Sequence, residues 1–216
     1  MFSTEKELVN SILKTFYDKG LSIKKYNKEN VRIMTELNLW YWIPDIVIVN
    51  KKDKRIEREK ILSSFDISIL NIIKHERKIN IDDIIMMTKI PRSKVNNSLS
   101  ILIKEDIVVN IWWNIKFKWY ENLISDCIAI EAKLKDRKRA LHQAYRYKRF
   151  ANESYVLLPQ ENISPALKNV ELFKKLNVWL LGIDASFCIL KHIKVKNESP
   201  ISEKMIFLLN EHFLTK

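Results

Sequence analysis

Apolar positions in residues 4–19 recur at Leu8, Ile12 and Phe16, the four-residue step of one helix face, and Glu5 falls on the same stripe three positions earlier. Gly20 marks the stop. Two β-like runs follow, VRIMTELNLW (31–40) and DIVIVN (45–50), parted by an aromatic turn of Trp40, Tyr41 and Trp42 that closes on Pro44. The second run is apolar on both alternations, as in a strand covered on both faces. Residues 51–60 are nearly all charged and read as a connector. From 61 to 120 the pattern becomes helix, helix, helix, hairpin, a self-contained unit. Its third helix starts at Pro91 and buries Val95, Leu99 and Leu102 at steps of four and three.

Beyond it, 126–134 reads as a strand, 136–151 as a helix, 153–159 as a strand, 164–177 as one helix, and 178–183 and 186–193 as two further strands. The amphipathic segment 202–214 closes the chain, with Met205, Ile206, Leu209 and Phe213 on the apolar face, either as a dimer contact or as a cover for the sheet. No internal repeat is visible. The expected class is α/β.

Composition narrows the partners. With 47% hydrophobic residues, 2 Gly and 5 Pro in 216, the chain has the makings of a folded core, about one main domain plus a small module. No apolar run approaches the ~20 residues of a membrane span, and the N-terminus lacks the order of a signal peptide. We therefore expect a cytoplasmic, nucleoid-associated protein without a membrane partner. Cys127 and Cys188 are far apart in apolar runs, which excludes a disulfide scaffold or zinc module. Lys and Arg number 38 against 26 acids, a net +12 that favours a polyanion, nucleic acid first.

Strand alternation in CIAIEAK puts Glu131 and Lys133 on one face, with Ile130 and Ala132 on the other. Charges on such a strand need pairing or a metal. An ion pair at the strand edge is the plainer account. The other Glu-x-Lys, Glu76-Arg77-Lys78, sits at a polar helix end. Pro44-Asp45, the single Pro-Asp pair, opens the apolar run DIVIV, where Asp45 would share an edge with Glu131. The helix after Glu131 carries Gln143 and Tyr147 four apart, either as site residues or as ordinary packing.

An N-terminal helix with an inward Glu, Pro-Asp opening a strand, Glu-x-Lys on the next core strand and Gln-x-x-x-Tyr on the following helix together resemble the PD-(D/E)XK nuclease superfamily. The resemblance covers residues 1–50 and 121 to about 190. It implies a restriction-endonuclease-like mixed central sheet flanked by helices, and hydrolysis of a phosphodiester. By resemblance, Asp45 and Glu131 would hold Mg²⁺ or Mn²⁺, with Glu5 as a further carboxylate and Glu7 as its rival. Lys133 would sit beside the attacking water and the phosphate, and Gln143 and Tyr147 would support the site and contact DNA. Hard oxygen donors suit Mg²⁺, which is commonly held by one or two carboxylates plus phosphate oxygens. Lys133 suits positioning and charge stabilisation better than the role of free base.

Asp45 and Glu131 are 86 residues apart, whereas the family joins these strands briefly. The 61–120 unit accounts for the gap if its entry and exit lie close together. That unit resembles a winged helix-turn-helix inserted into the core. Asp106 stands where many members have Gly, a position suited to left-handed backbone. Arg92, Lys94, Asn96 and Asn97 would then read bases, and the wing turn near Trp113 and Asn114, with Lys116 and Lys118, would reach phosphates. Such modules also dock proteins, so a protein partner stays open. Residues 133–149 hold eight basic side chains against Asp136 alone, a net +7, among them Lys135, Arg137, Lys138, Arg139 and Arg146. Either a phosphate backbone or solvent faces them.

The domains expected are 1–56 and 121–216 as nuclease core and 57–120 as inserted winged helix. The function expected is metal-dependent DNA endonuclease, with a homodimer favoured if both strands are cut. The rivals are an inactive DNA-binding regulator or structural subunit, and a nuclease for RNA. The substrate stays open between a specific site, a branched junction, a transposon end and a free terminus.

Overall fold

The computed structural model describes residues 2–19, 28–39, 42–54, 58–76 and 78–214. Gly20, Trp40 and Tyr41, read above as a helix stop and part of an aromatic turn, lie outside the described residues. In chain order the elements are α1 (Glu5–Lys19), β1 (Val31–Thr35), β2 (Ile46–Lys51), α2 (Ser64–His75), α3 (Ile81–Thr88), α4 (Arg92–Lys104), β3 (Val108–Ile111) and β4 (Asn114–Phe117). These are followed by β5 (Ile124–Ala132), α5 (Arg137–Tyr147), β6 (Glu153–Pro159), α6 (Ser164–Leu167), α7 (Val170–Leu176), β7 (Trp179–Ile183), β8 (Ile189–Ile193) and α8 (Glu203–Leu214). The chain divides into two compact units, Met1–Asp53 with Ile124–Ile201, and Lys54–Leu123 with Ser202–Lys216.

The first unit is built on a six-stranded sheet of order β1-β2-β5-β6-β7-β8. β1, β2 and β5 form an antiparallel meander, β5, β6 and β7 run parallel, and β8 returns antiparallel, so the sheet is mixed. Both faces of its centre are covered, which is why β2 and β6 lack polar alternation. Leu8 and Ile12 of α1 pack on Ile46, Ile48, Ile128, Ile130, Tyr155 and Leu157. On the other face Ala140, Leu141 and Ala144 of α5 and Phe173 of α7 pack on Val156, Leu158 and Leu180. The sheet is thus flanked by helices. β2 and β5 are neighbours, with Lys51 paired to Ile124, so the chain leaves one strand and resumes on the next after the intervening segment.

The second unit has three helices followed by a two-stranded antiparallel hairpin, β3 with β4. Capping boxes start α2 (Ser63 with Asp66) and α3 (Asn80 with Asp83), satisfying the first free N–H groups of each. α4 buries Val95, Ser98, Leu99 and Leu102. Asp106, after α4, has φ 57°, a left-handed backbone that Asp tolerates better than most residues other than Gly.

Three sequence expectations need correction. The last helix belongs to the second unit and not to the segment 121–216: Met205, Leu209 and Phe213 are buried there. Glu211 is buried within the same unit, accepting hydrogen bonds from the Leu62 N–H (2.8 Å) and the Tyr120 hydroxyl (2.5 Å) and pairing with Arg58 at 2.5 Å. The apolar face of α8 is therefore consumed inside the unit. The expected helix 164–177 is two helices, α6 and α7. The break follows from Asn169, whose side-chain amide donates to the Pro165 carbonyl at 3.1 Å in place of a backbone group. β1 ends at Thr35 because Glu36 takes φ 51°. Both cysteines are free, Cys127 buried but Cys188 exposed.

Candidate active site

Sheet register brings the acidic residues together. β2 and β5 run antiparallel with Ile46 opposite Ile130, so one step further along the pair sets Asp45 opposite Glu131. Asp45 fixes itself there by accepting a hydrogen bond from the Ala132 N–H at 2.7 Å, although the two residues lie 87 positions apart. Its carboxylate thereby takes a donor at the strand end. No side-chain pattern advertises the Ala132 amide, and sequence reading missed it.

Glu131 is buried, at 1% exposure, one residue before the end of β5. Its two oxygens have separate partners. Oε1 pairs with the Lys133 ammonium at 2.8 Å, and Oε2 accepts from the Tyr147 hydroxyl. Tyr147 is the last residue of α5, three and seven positions beyond Ala144 and Ala140 on the buried helix face. Helix packing therefore delivers the phenol to the carboxylate. Gln143, one turn earlier, has a buried Oε1 with no protein partner.

Lys133 is the hub. Its ammonium lies 2.8 Å from Glu131, 3.2 Å from Glu5 Oε2 and 3.7 Å from Asp45 Oδ2, and it donates to the Ala132 carbonyl at 3.0 Å. Glu5, in the first turn of α1, keeps about half of its side chain exposed (47%). Glu7 points elsewhere, accepting from the N–H and hydroxyl of Ser3, each at 2.8 Å, to cap the helix. Its carboxyl is accordingly held below the ordinary value, chiefly by the Ser3 N–H.

Burial dominates the proton affinities of the acids. It pushes Asp45 up, against the Ala132 N–H and Lys133, which act the other way. Burial and then the Asp45 charge push Glu131 up, against Lys133 and Tyr147. Burial lowers Lys133, but its carboxylate neighbours outweigh it and the ammonium is held above its ordinary value. Tyr147 is pushed far up by burial and by Glu131, so its hydroxyl stays protonated as a donor. Three carboxylates gathered around one ammonium are a donor set of hard oxygens of the kind that suits a divalent ion. Among the described residues no three Asp, Glu, His or Cys side chains are placed to hold a metal by themselves. A magnesium site needs only one or two protein carboxylates beside water and phosphate oxygens.

The basic residues divide by environment. Lys135, Lys138, Arg139 and Arg146 are exposed on and before α5, and Arg137 is half-buried with an unpartnered Nε. Lys148 is buried and paired with Glu198 at 2.5 Å, so it leaves the solvent-facing set. Arg149 covers the Trp42 ring at 5.5 Å, a contact the sequence reading did not anticipate. In the second unit Arg92, Lys94, Asn96 and Asn97 of α4 are exposed, whereas Val95, Ser98, Leu99 and Leu102 are buried. Arg92 is engaged by Asp82 and Lys118 by Asp106, whereas Lys116 is half-buried on the hairpin.

Comparison with protein-family models, with curated proteins and with solved structures gives no match to this chain. Among the described residues no helix is long and apolar enough to cross a membrane.

Proposed function

We propose that the first unit is a PD-(D/E)XK-type nuclease core that hydrolyses DNA phosphodiester bonds with a divalent cation, and that the second is a winged helix-turn-helix that grips or selects the DNA. The observation that carries this reading is the convergence of Glu5, Asp45 and Glu131 on Lys133 at the ends of neighbouring strands. The order is that of the resemblance: a helix bearing Glu5, a strand opened by Asp45, the adjacent strand with Glu131 and Lys133, then a helix with Gln143 and Tyr147.

Asp45 and Glu131 are the residues that would hold Mg²⁺ or Mn²⁺, with Glu5 able to add an oxygen. The ion would supply Lewis-acid stabilisation of the charge that builds on the phosphate. Lys133 is the ammonium placed to stabilise that charge and orient the water, since its proton is held too firmly for it to act as a base at neutral pH. Tyr147 fixes the Glu131 carboxylate by holding Oε2, leaving Oε1 on the side of Lys133. The exposed cations of α5 offer phosphate contacts without sequence information. On α4, Arg92, Lys94, Asn96 and Asn97 present the side chains that read major-groove edges.

Purified protein incubated with supercoiled, linear and branched DNA in Mg²⁺ or Mn²⁺ tests the proposal. Cleavage should vanish in Asp45→Asn and in Lys133→Met while DNA binding persists. Cleavage unchanged in Asp45→Asn would overturn it. The ion pairing of all three carboxylates by one lysine favours a second reading, a DNA-binding protein whose core no longer cuts. For that protein no metal or substrate form yields product, although binding remains.

A further inference from the structure

Strands β3 and β4 are joined by only two residues, Trp112 and Trp113, since Ile111 pairs directly with Asn114. Both have positive φ, 50° and 68°, the backbone of a type I′ turn. Asn-Gly is the favoured pair for such a turn, and a bulky side chain there is an outlier. Both indoles are also nearly fully exposed, at 87% and 88%. Two tryptophans thus stand in water on a backbone that disfavours them, held by the Asn114 amide donating to the Trp112 carbonyl at 3.2 Å. Neither the packing of the unit nor the geometry of the hairpin calls for them.

The surroundings select an occupant. The cross-strand pairs Val109 with Lys116 and Ile111 with Asn114 share one face, and both apolar members are exposed, at 37% and 38%. The segment Val108–Lys118 contains Lys116 and Lys118 and no acid, and Lys118 is paired with Asp106, which leaves Lys116 as the charge of the hairpin. A polyanion with apolar planar faces is complementary to the indoles and to that charge. Paired bases inside a duplex hide those faces against each other. Unpaired bases offer them.

We propose that the Trp112-Trp113 tip stacks on unpaired bases, so that this unit favours DNA with a single-stranded or splayed segment over blunt duplex. This deepens the proposed function by naming a substrate class, and it rests on the reading of the second unit as DNA-binding. Stacking on an aromatic side chain is worth roughly five- to a hundredfold in affinity for each base held.

The test uses the whole chain in EDTA, so that no cleavage intervenes, with fluorescence anisotropy on labelled blunt duplex and on the same duplex carrying a single-stranded arm. The double variant W112N/W113G supplies the residues that a type I′ turn favours. It should unfold at higher denaturant than wild type yet lose roughly tenfold or more of its affinity for the armed DNA. Its armed-to-blunt affinity ratio should fall by the same factor, and W112F/W113F should recover part of the preference. An unchanged armed-to-blunt ratio in W112N/W113G overturns the stacking proposal while the DNA-binding reading survives. If wild type binds neither DNA at low salt, both fall. Tryptophan-dependent binding to anionic phosphatidylserine vesicles, with no preference among DNAs, overturns it in favour of a lipid surface.

Discussion

Replacing Lys133 with Met removes the single cation within 4 Å of Glu131, Asp45 and Glu5 among the described residues, and nearly preserves the volume of the stem. Leaving a buried carboxylate unpaired costs about 3–5 kcal/mol. Glu131 has a way out, because it can fold protonated. Its ordinary value is 4.5, so neutralising it at pH 7 costs 2.5 pH units, or about 3.5 kcal/mol at ~1.4 kcal/mol per unit. At pH 5 the same escape costs about 0.7 kcal/mol. Loss of the bond to the Ala132 carbonyl adds about 1 kcal/mol that does not depend on pH. The sign follows from linkage: a carboxyl raised in the folded state gives most stability below its unfolded value, and that stability is lost as pH climbs through the folded value. Lys133→Met should therefore be about 4 kcal/mol less stable than wild type near pH 7, and under 2 kcal/mol less stable near pH 5. Urea titration with hydrogen exchange read on β5 and β6 reports this unit alone. Mg²⁺ at ten times its dissociation constant should return about 1.4 kcal/mol to the variant at pH 8. An equal loss at pH 5 and pH 8 would refute the claim that a buried, ionised Glu131 depends on this lysine.

Tyr147→Phe removes the donor to Glu131 Oε2, which should cost about 1.5–3 kcal/mol and raise the Glu131 carboxyl further. The ascending limb of a cleavage pH profile should then move to higher pH, and an unmoved limb would show that Glu131 does not govern it. Glu211→Ala leaves Arg58 buried in the second unit, where its Nε and Nη1 already lack partners. A loss of about 3–5 kcal/mol is expected from amide protection in α2 and α8, and a loss below 1 kcal/mol would contradict the burial argument. Lys138→Ala combined with Arg139→Ala should reduce the slope of log affinity against log salt by about 2 if each side chain meets a phosphate. A slope that stays put assigns those side chains to solvent.

The site was readable where a local pattern has a unique three-dimensional consequence. Alternation in a strand forces Glu131 and Lys133 to one side, and an apolar run opened by Pro44-Asp45 must be a covered strand whose first residue lies at its end. Side-chain period does not encode which strands are neighbours. That β2 and β5 pair depends on the intervening residues forming a unit of their own, legible as three amphipathic helices and a hairpin. The capping boxes of Ser63 with Asp66 and Asn80 with Asp83, which the sequence reading did not single out, start two of those helices.

What escaped reading has a common physical origin, since amphipathicity states that a face is buried without stating against what. The stripe of Met205, Leu209 and Phe213 is as good a cover for a sheet as for helices, and the choice is made by Glu211 and Asn210 beside it. Glu211 meets Arg58, and the side-chain oxygen of Asn210 accepts from the Leu123 N–H at 2.9 Å. Lys148 looks like its exposed neighbours in sequence, yet its position at the C-terminal cap of α5 turns it inward, where Glu198 pairs with it. The same logic operates at the site, where Lys133 was expected beside water and phosphate and instead gathers three carboxylates. Those two placements are compatible, because a cation drawn to charge-rich oxygens in the unliganded site is drawn equally to the oxygens of a phosphate. A divalent ion at Asp45 and Glu131 would weaken the hold of the acids on the ammonium and free it for that contact. On the proposed function, exchange of the Lys133 ammonium from the carboxylates to a phosphate oxygen would accompany binding of metal and DNA.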